Sequence, residues 1–555
     1  MLVGGICGRG DNAHKVRDMT SRSVRIGLVL VLMASAHGSP QMSAQTAQRP
    51  DTNPPATFAD PQRRAKLETA FPRIDKLVAA FMARNHVPGA AWGIVIDGEL
   101  AHLGVSGFRE LPSKAPVTRD SVFRIASMTK SFTAIAILKL RDEGKLSLED
   151  LAERHVPELK NLRYPTSDSP RITVRHLMSH ATGFPEDNPW GDQQLARTEA
   201  EFTRMLEEGI PFSNVPGVEY EYSNYGFAIL GRIVTNVSGQ PYPTYIQEAI
   251  LGPLGMSSTT LEPGSVPADR LAHGYRWEDA QWKEEPPLPH GAFGSMGGML
   301  TSVSDLSKYV GVFLSAWPPR DGPETGPIRR SSLREMQEMW RPRPTTVTSS
   351  SDGLNLNSGG YGYGLRVSQS CAFEHIVAHS GGLPGYGSLM QWLPEYGVGI
   401  VAFGNVTYTG WGEVVSNAFD LLAKTGGLQR RTPQPSTALV NARDAVSRLI
   451  LSWDDKRADE IAAMNLYLDR SKVRRRQEVD DLRAKVGACR MPAAFDFVEN
   501  RLRGRWTMHC ERGDLRVSIT LAPTMPPGVQ FLEVTKAEAG APAASPPACR
   551  VQNAR

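Results

Sequence analysis

Cysteine is scarce. There are five in 555 residues and no Cys-x-x-Cys pair, which argues against a thioredoxin-like redox site or a cysteine-built zinc site. Runs of one charge sign are also missing. Sixty-two Lys and Arg face 58 Asp and Glu for a net charge of +4, and the basic residues are dispersed, so nucleic acid is not an expected partner. Beyond the amino terminus no stretch reaches 18 uninterrupted apolar residues, the length a membrane-spanning helix needs. No internal repeat is present, which excludes solenoids and propellers. What remains is ordinary globular material. The chain is 41% hydrophobic and 22% charged, enough for a large core and more than one domain.

The amino terminus reads as an export leader. Arg22 and Arg25 precede the apolar run Ile26 to Ala36, and Ala34-Ser35-Ala36 fits a signal-cleavage site, with Met42-Ser43-Ala44 a weaker second one. Met19 is a candidate start. Residues 1–44 are therefore read as signal peptide and leader, 45–61 as a Pro- and Thr-rich linker, and the mature protein as exported, periplasmic or secreted, with no membrane span after cleavage. An oxidising compartment permits a disulfide, and Cys489 with Cys510 is the candidate pair.

A helical pattern runs from Pro61 to Asn85. Asp97-Gly98, between two strand-like runs around Trp92 to Leu100, predicts a hairpin. Ser127 to Glu143 turns helical and stops at Gly144. Residues 150–345 read as mostly helical with Pro- and Gly-rich loops. Short apolar strands return at Glu374–Ser380, Gly387–Leu393 and Val398–Phe403, before a helix near Trp411–Lys424. The expectation is an α+β domain over 62–424: one antiparallel sheet joins the early hairpin to the late strands, flanked by helices, with a helical subdomain inserted between. Residues 425–437 read as a second linker. Residues 438–536 read as a small α+β accessory domain opened by an amphipathic helix through Leu439, Val446 and Ile450. Residues 537–555, rich in Ala and Pro, read as a disordered tail.

Three short motifs can carry chemistry. Ser127-Met128-Thr129-Lys130 places a hydroxyl and an amine one helical turn apart, and an amine of lowered pKa can take the hydroxyl proton. In Tyr222-Ser223-Asn224, a phenol can relay a proton and an amide can bind a carbonyl or orient the lysine. His379-Ser380-Gly381-Gly382 closes a strand, where glycine lets backbone approach a ligand and an N–H can act as oxyanion donor. Each alone reads better as ordinary structure. His176 and His180 stand four apart, as zinc ligands on a helix do, but Leu177 replaces the glutamate of a metalloprotease motif, so no metal is expected.

Taken together and in order, the three motifs resemble the S-x-x-K, Y-x-N and K-T-G set of class C β-lactamases and related D,D-carboxypeptidases, D-stereospecific aminopeptidases and family VIII esterases. The flanks Ser121–Ala126, Gly144–Leu148, Ile172–His180 and Gly294–Met299 look similar too, and the likeness covers about residues 70–424. The resemblance implies a cofactor-free serine hydrolase acting on a small-molecule or peptide substrate. Ser127 would be the acylated nucleophile, Lys130 and Tyr222 the proton-transfer pair, and Asn224, His379, Gly381 and Gly382 substrate-binding, with Ser127 and Gly382 supplying oxyanion N–H groups. Which of Lys130 and Tyr222 is the base stays open. His379 stands where the family has lysine, and a neutral imidazole is a poorer anchor for a carboxylate. That favours D-amino-acid amide, peptide or ester substrates over a β-lactamase or D,D-carboxypeptidase. A penicillin- or peptide-binding sensor without turnover is the remaining alternative.

Overall fold

The computed structural model describes residues 53–350 and 353–537. The leader read over 1–44 and the tail from 538 lie outside them. The early hairpin forms as the Asp-Gly turn requires. Strands Gly89–Ile96 and Glu99–Glu110 pair antiparallel around Asp97 and Gly98, both at positive φ. Gly89–Ile96 then pairs along its length with Val398–Gly404 from the far end of the domain, with Ala90 opposite Gly404 and Ile96 opposite Val398. Outward from there the sheet continues antiparallel through Tyr386–Leu393, Ile376–Leu383, Arg366–Ser370 and Gly353–Tyr361. The two ends of the domain are thus stitched into one sheet, and the helical segment lies between them in sequence.

The central strands are buried on both faces, which is why they read as continuous apolar runs rather than alternating ones. On one face, helices Phe71–Arg84 and Gly412–Ala423 pack Phe81, Val415 and Phe419 against Ile94 and Ile400. On the other, helices Thr129–Asp142, Asn224–Ser238 and Val303–Ala316 bury a larger core with Phe132, Phe227, Tyr309 and Phe313. The helix read over 61–85 forms in two pieces, Arg63–Glu68 and Phe71–Arg84, because Pro72 is suited to the first turn of a new helix rather than the interior of one.

Beyond the main domain, helices Thr437–Leu451, Asp455–Ile461 and Lys472–Val486 pack on a four-stranded antiparallel meander from Phe497 to Lys536. These elements have their own core around Leu439, Trp506, Val517 and Ile519. The alternation of buried and part-buried residues along Gly513–Leu521 marks a sheet with one covered face. Cys489 and Cys510 are joined by a disulfide. Thr57, in the stretch read as a linker over 45–61, pairs with Thr432, in the stretch read as a linker over 425–437. No described helix is long and apolar enough to cross a membrane.

Candidate active site

The nucleophile candidate sits at a kink. Strand residues Phe123–Arg124 lead to Ala126, whose φ of 49° is rare for a residue with a side chain. A 3₁₀ turn over Ala126–Met128 then feeds the helix Thr129–Asp142. This strained turn places Ser127 before the helix rather than inside it, at the positive end of its dipole. Ser127 is 8% exposed and Lys130 fully buried.

Lys130 Nζ donates to Ser127 Oγ at 3.0 Å, to Asn224 Oδ1 at 2.6 Å and to the Met296 carbonyl at 2.8 Å. Of these three partners, Ser127 alone can donate a proton in return. When the amine is neutral, its lone pair therefore faces the serine hydroxyl. Burial lowers the Lys130 pKa to about 7. Asp187 and Asp192 oppose that shift and the nearby Arg366 cation reinforces it. The Tyr222 hydroxyl is hydrogen-bonded to Ser127, and burial drives its pKa far upward, so the phenol stays protonated. Its ring stands 4.9 Å from Lys130 Nζ.

The Tyr222–Asn224 segment is held from below. Ser223 caps the helix Asn224–Ser238 by accepting from Gly226 N–H. Asp187 accepts from the Asn224 and Tyr225 N–H groups at 2.7 and 2.8 Å, and the Asn224 amide donates to Asn188 Oδ1 at 2.6 Å, which fixes its oxygen toward Lys130. His180 Nδ1 accepts from Ser223 N–H, with its ring 4.3 Å from that of Tyr222. His176 instead accepts from Thr173 N–H in a capping box. The two histidines thus serve separate local structures.

The third motif lies differently from its reading. The strand does not close at Ser380 but continues through Gly381 and Gly382 to Leu383, with Gly382 opposite Gly387. The glycines serve close approach: a Cβ on Gly381 would run into the Ile125 carbonyl oxygen, one residue before the Ser127 turn. Ser388 Oγ donates to the same carbonyl at 2.9 Å. The strand edge and the nucleophile turn are thereby clamped together. His379 is 1% exposed. Its Nδ1 donates to the Ser380 carbonyl at 2.7 Å, so Nε2 accepts from Tyr361 OH at 2.8 Å. Burial, with Arg366 and Lys130 nearby, holds it neutral. Both nitrogens are committed to protein groups, so the ring has no free donor for a substrate, and the substrate-binding role expected of His379 does not fit its geometry.

Arg366 had no motif to announce it. Its strand neighbours that of His379, with Arg366 opposite Ala378. The guanidinium lies 5.9 Å from the Tyr222 ring centroid, among Tyr220, Tyr222 and Tyr361. It makes no ion pair among the described residues, and its buried Nε lacks a hydrogen-bond partner. Asp187, Asp192 and Tyr408 were equally silent in sequence. The Tyr408 hydroxyl donates to Asp192 Oδ2 at 2.9 Å. Beside Asp187 and Ser223 opens a cavity of about 610 Å³ floored by Phe184, Met205, Ile210 and Tyr225.

Comparison with known proteins bears on the family and the fold. The Beta-lactamase family description matches residues 74–425. The chain belongs to the β-lactamase family. Among curated relatives, Protein flp of Staphylococcus aureus (strain COL) is 28% identical over 336 residues, 60% of this chain and 63% of that protein. Beta-lactamase-like protein 2 of Dictyostelium discoideum is 31% identical over 261 residues, 45% of this chain and 47% of that one. The chain thus spans less than two thirds of the length of these relatives. Among solved structures, the octameric penicillin-binding protein homologue from Pyrococcus abyssi superposes with TM-score 0.55 at 22% identity, covering 84% of this chain and 90% of that one. A class C β-lactamase superposes at 0.51 and 19% identity, covering 66% and 98%. Both likenesses concern the fold.

Proposed function

We propose that this chain is an exported serine hydrolase that cleaves amide or ester bonds through an acyl-enzyme on Ser127. The observation that carries the reading is the Lys130 amine, fully buried, with Ser127 Oγ as its one partner able to donate. Neutral Lys130 takes the Ser127 proton as Oγ bonds to the substrate carbonyl carbon. The oxyanion so formed lies between the N–H groups of Ser127 and Gly382. The proton passes through Tyr222 to the leaving amine or alcohol as its bond to the carbonyl carbon breaks, and water then repeats the steps to release the acid. The high pKa of Tyr222 suits a neutral relay rather than a base. Asn224 orients Lys130; with its amide committed to Asn188 and the residue fully buried, the substrate-binding role expected of it does not fit.

One observation favours a particular substrate class. Unpaired Arg366 supplies, from the adjacent strand, the cation that His379 does not, and a guanidinium binds a carboxylate in two-pronged fashion. This supports substrates with a free carboxylate, as in a carboxypeptidase or β-lactamase, beside the D-amino-acid amide and ester reading.

Fluorophosphonate and penicillin labelling followed by intact mass is the test. One adduct on the native protein and none on Ser127→Ala is expected; labelling of both, or of neither, refutes the mechanism. With D-alanyl-D-alanine and its methyl ester as substrates, Arg366→Gln is expected to erase the preference for the free acid, and an unchanged preference refutes the carboxylate role.

A further inference from the structure

We propose that Asp192, presented by Tyr408, is an ammonium-binding site at the acyl end of the cleft, so that the preferred substrate carries a free amine beside the scissile carbonyl. The proposal deepens the hydrolase reading above and rests on it.

Asp192 is 2% exposed, yet no cation is within ion-pair distance of it among the described residues. Its protein partner is a neutral phenol, Tyr408, on Oδ2, and its other oxygen has no hydrogen-bond partner among the described residues. A carboxylate this buried without a countercharge is costly, and burial accordingly raises its pKa to about 6. Such a group is a feature to explain, and an incoming cation removes the penalty.

Its surroundings place it in the reaction cleft. Gly191, its neighbour, backs onto Asn224 so closely that a Cβ there would stand 2.6 Å from Asn224 Nδ2, and the charge of Asp192 is felt at Lys130. Tyr408 comes from the opposite wall. It holds a φ of 53° that few residues with side chains adopt, and its ring lies where a Cβ on Gly382 would stand 2.7 Å from Cδ1. The hydrogen bond between them therefore bridges from the Gly191–Gln194 turn to the strand edge that carries the oxyanion N–H.

Polarity then fixes which end is which. Arg366 lies opposite Ala378, while Tyr408 lies over Gly382. These points are four residue steps apart, roughly 13 Å of backbone, and Ile125, two residues before Ser127, abuts Gly381 between them. The cleft carries a cation at one end and a carboxylate at the other. A short peptide with both termini free has the matching charges: its carboxylate on the leaving half meets Arg366, and its ammonium on the acyl half meets Asp192.

The test compares D-alanine p-nitroanilide with its N-acetyl derivative, which has the same scissile bond and no positive charge. The wild-type kcat/KM is expected to favour the free amine by about tenfold or more. Asp192→Asn is expected to reduce that ratio at least tenfold, mainly through KM, and Asp192→Glu to restore part of it. A ratio unchanged in Asp192→Asn, or a wild-type preference for the acetylated compound, overturns the proposal. A second readout needs no turnover. Calorimetry of D-alaninamide binding to Ser127→Ala is expected to show affinity that falls at least tenfold when Asp192→Asn is added, and equal affinity in both proteins overturns the site. Fluorophosphonate labelling of Ser127 reports on the hydrolase reading alone, so failure of either idea is told apart from failure of the other.

Discussion

Protonation of Lys130 should control the acylation rate, and its sign and size follow from the surroundings. Burial lowers the Lys130 pKa from 10.5 to about 7. At pH 7 the neutral fraction is then about one half, against about 3 × 10⁻⁴ for an ordinary lysine, a gain of roughly 10³ in competent base. The protonated amine can donate to Ser127 but not accept from it, so the low-pH form is the inactive one and activity is gained as pH rises. Between pH 6 and 8 the neutral fraction climbs from ~0.1 to ~0.9, and the labelling rate should rise about ninefold. Because the carboxyl of Asp192, raised to about 6, interacts with Lys130, the limb belongs to the two groups together. Two substitutions should move it in opposite directions. Arg366→Gln removes a like charge and shifts the midpoint up; Asp187→Asn removes an opposite charge and shifts it down. The assay is the pseudo-first-order rate of fluorophosphonate labelling of Ser127, followed by intact mass from pH 5.5 to 9. A flat profile between pH 6 and 8, a midpoint above 9, or both variants shifting the same way would refute the assignment of Lys130 as base.

Two further outcomes follow from the geometry. Tyr222→Phe should slow turnover by ~10² or more while leaving the pH midpoint near 7, because the phenol relays a proton without titrating in that range; unchanged steady-state turnover would exclude the relay. Gly381→Ala should lower thermal stability and abolish labelling together, since its methyl meets the Ile125 carbonyl and backbone must move, at a cost of ~1–3 kcal/mol. A variant that melts with the wild type and still labels would show that the strand edge is not clamped to the Ser127 turn.

Much of the fold was readable because it rests on local signals. The Asp97-Gly98 turn, the apolar strands around Met390 and Val401, and the glycine stop at Gly144 each mark a structure within a few residues. The pairing of Gly89–Ile96 with Val398–Gly404 is a long-range fact, but two buried strands at the ends of a domain with a helical insert between them leave few ways to close one sheet. Boundaries fared less well. The strand at His379 was ended early because glycine reads as a stop, whereas Gly381 lets the backbone pass close to the nucleophile turn and Gly382 leaves room for the Tyr408 ring. Periodicity carries no information about what a strand will be pressed against.

The site divides along the same line. Ser127, Lys130, Tyr222 and Asn224 were legible because each lies in a short motif whose members are neighbours in the chain. Arg366 and Asp192 were not, because what distinguishes them is a partner missing among the described residues: an arginine without a carboxylate and a buried carboxylate without a cation. Sequence records what residues are present, and only the fold shows which charges go unanswered. The lysine-to-histidine change at His379 raises the same point. Judged by position, it removed the anion anchor and turned the reading away from carboxylate substrates. In the folded sheet, adjacent strands present side chains to one cleft, and a cation removed from one strand can be supplied by the next. Under the carboxylate role proposed above, Arg366, opposite Ala378, would do so, while His379, bound at both nitrogens, supports Tyr361. A lysine at 379 would set a further ammonium in a buried site beside Arg366 and Lys130, where burial, reinforced by those cations, already keeps the histidine neutral.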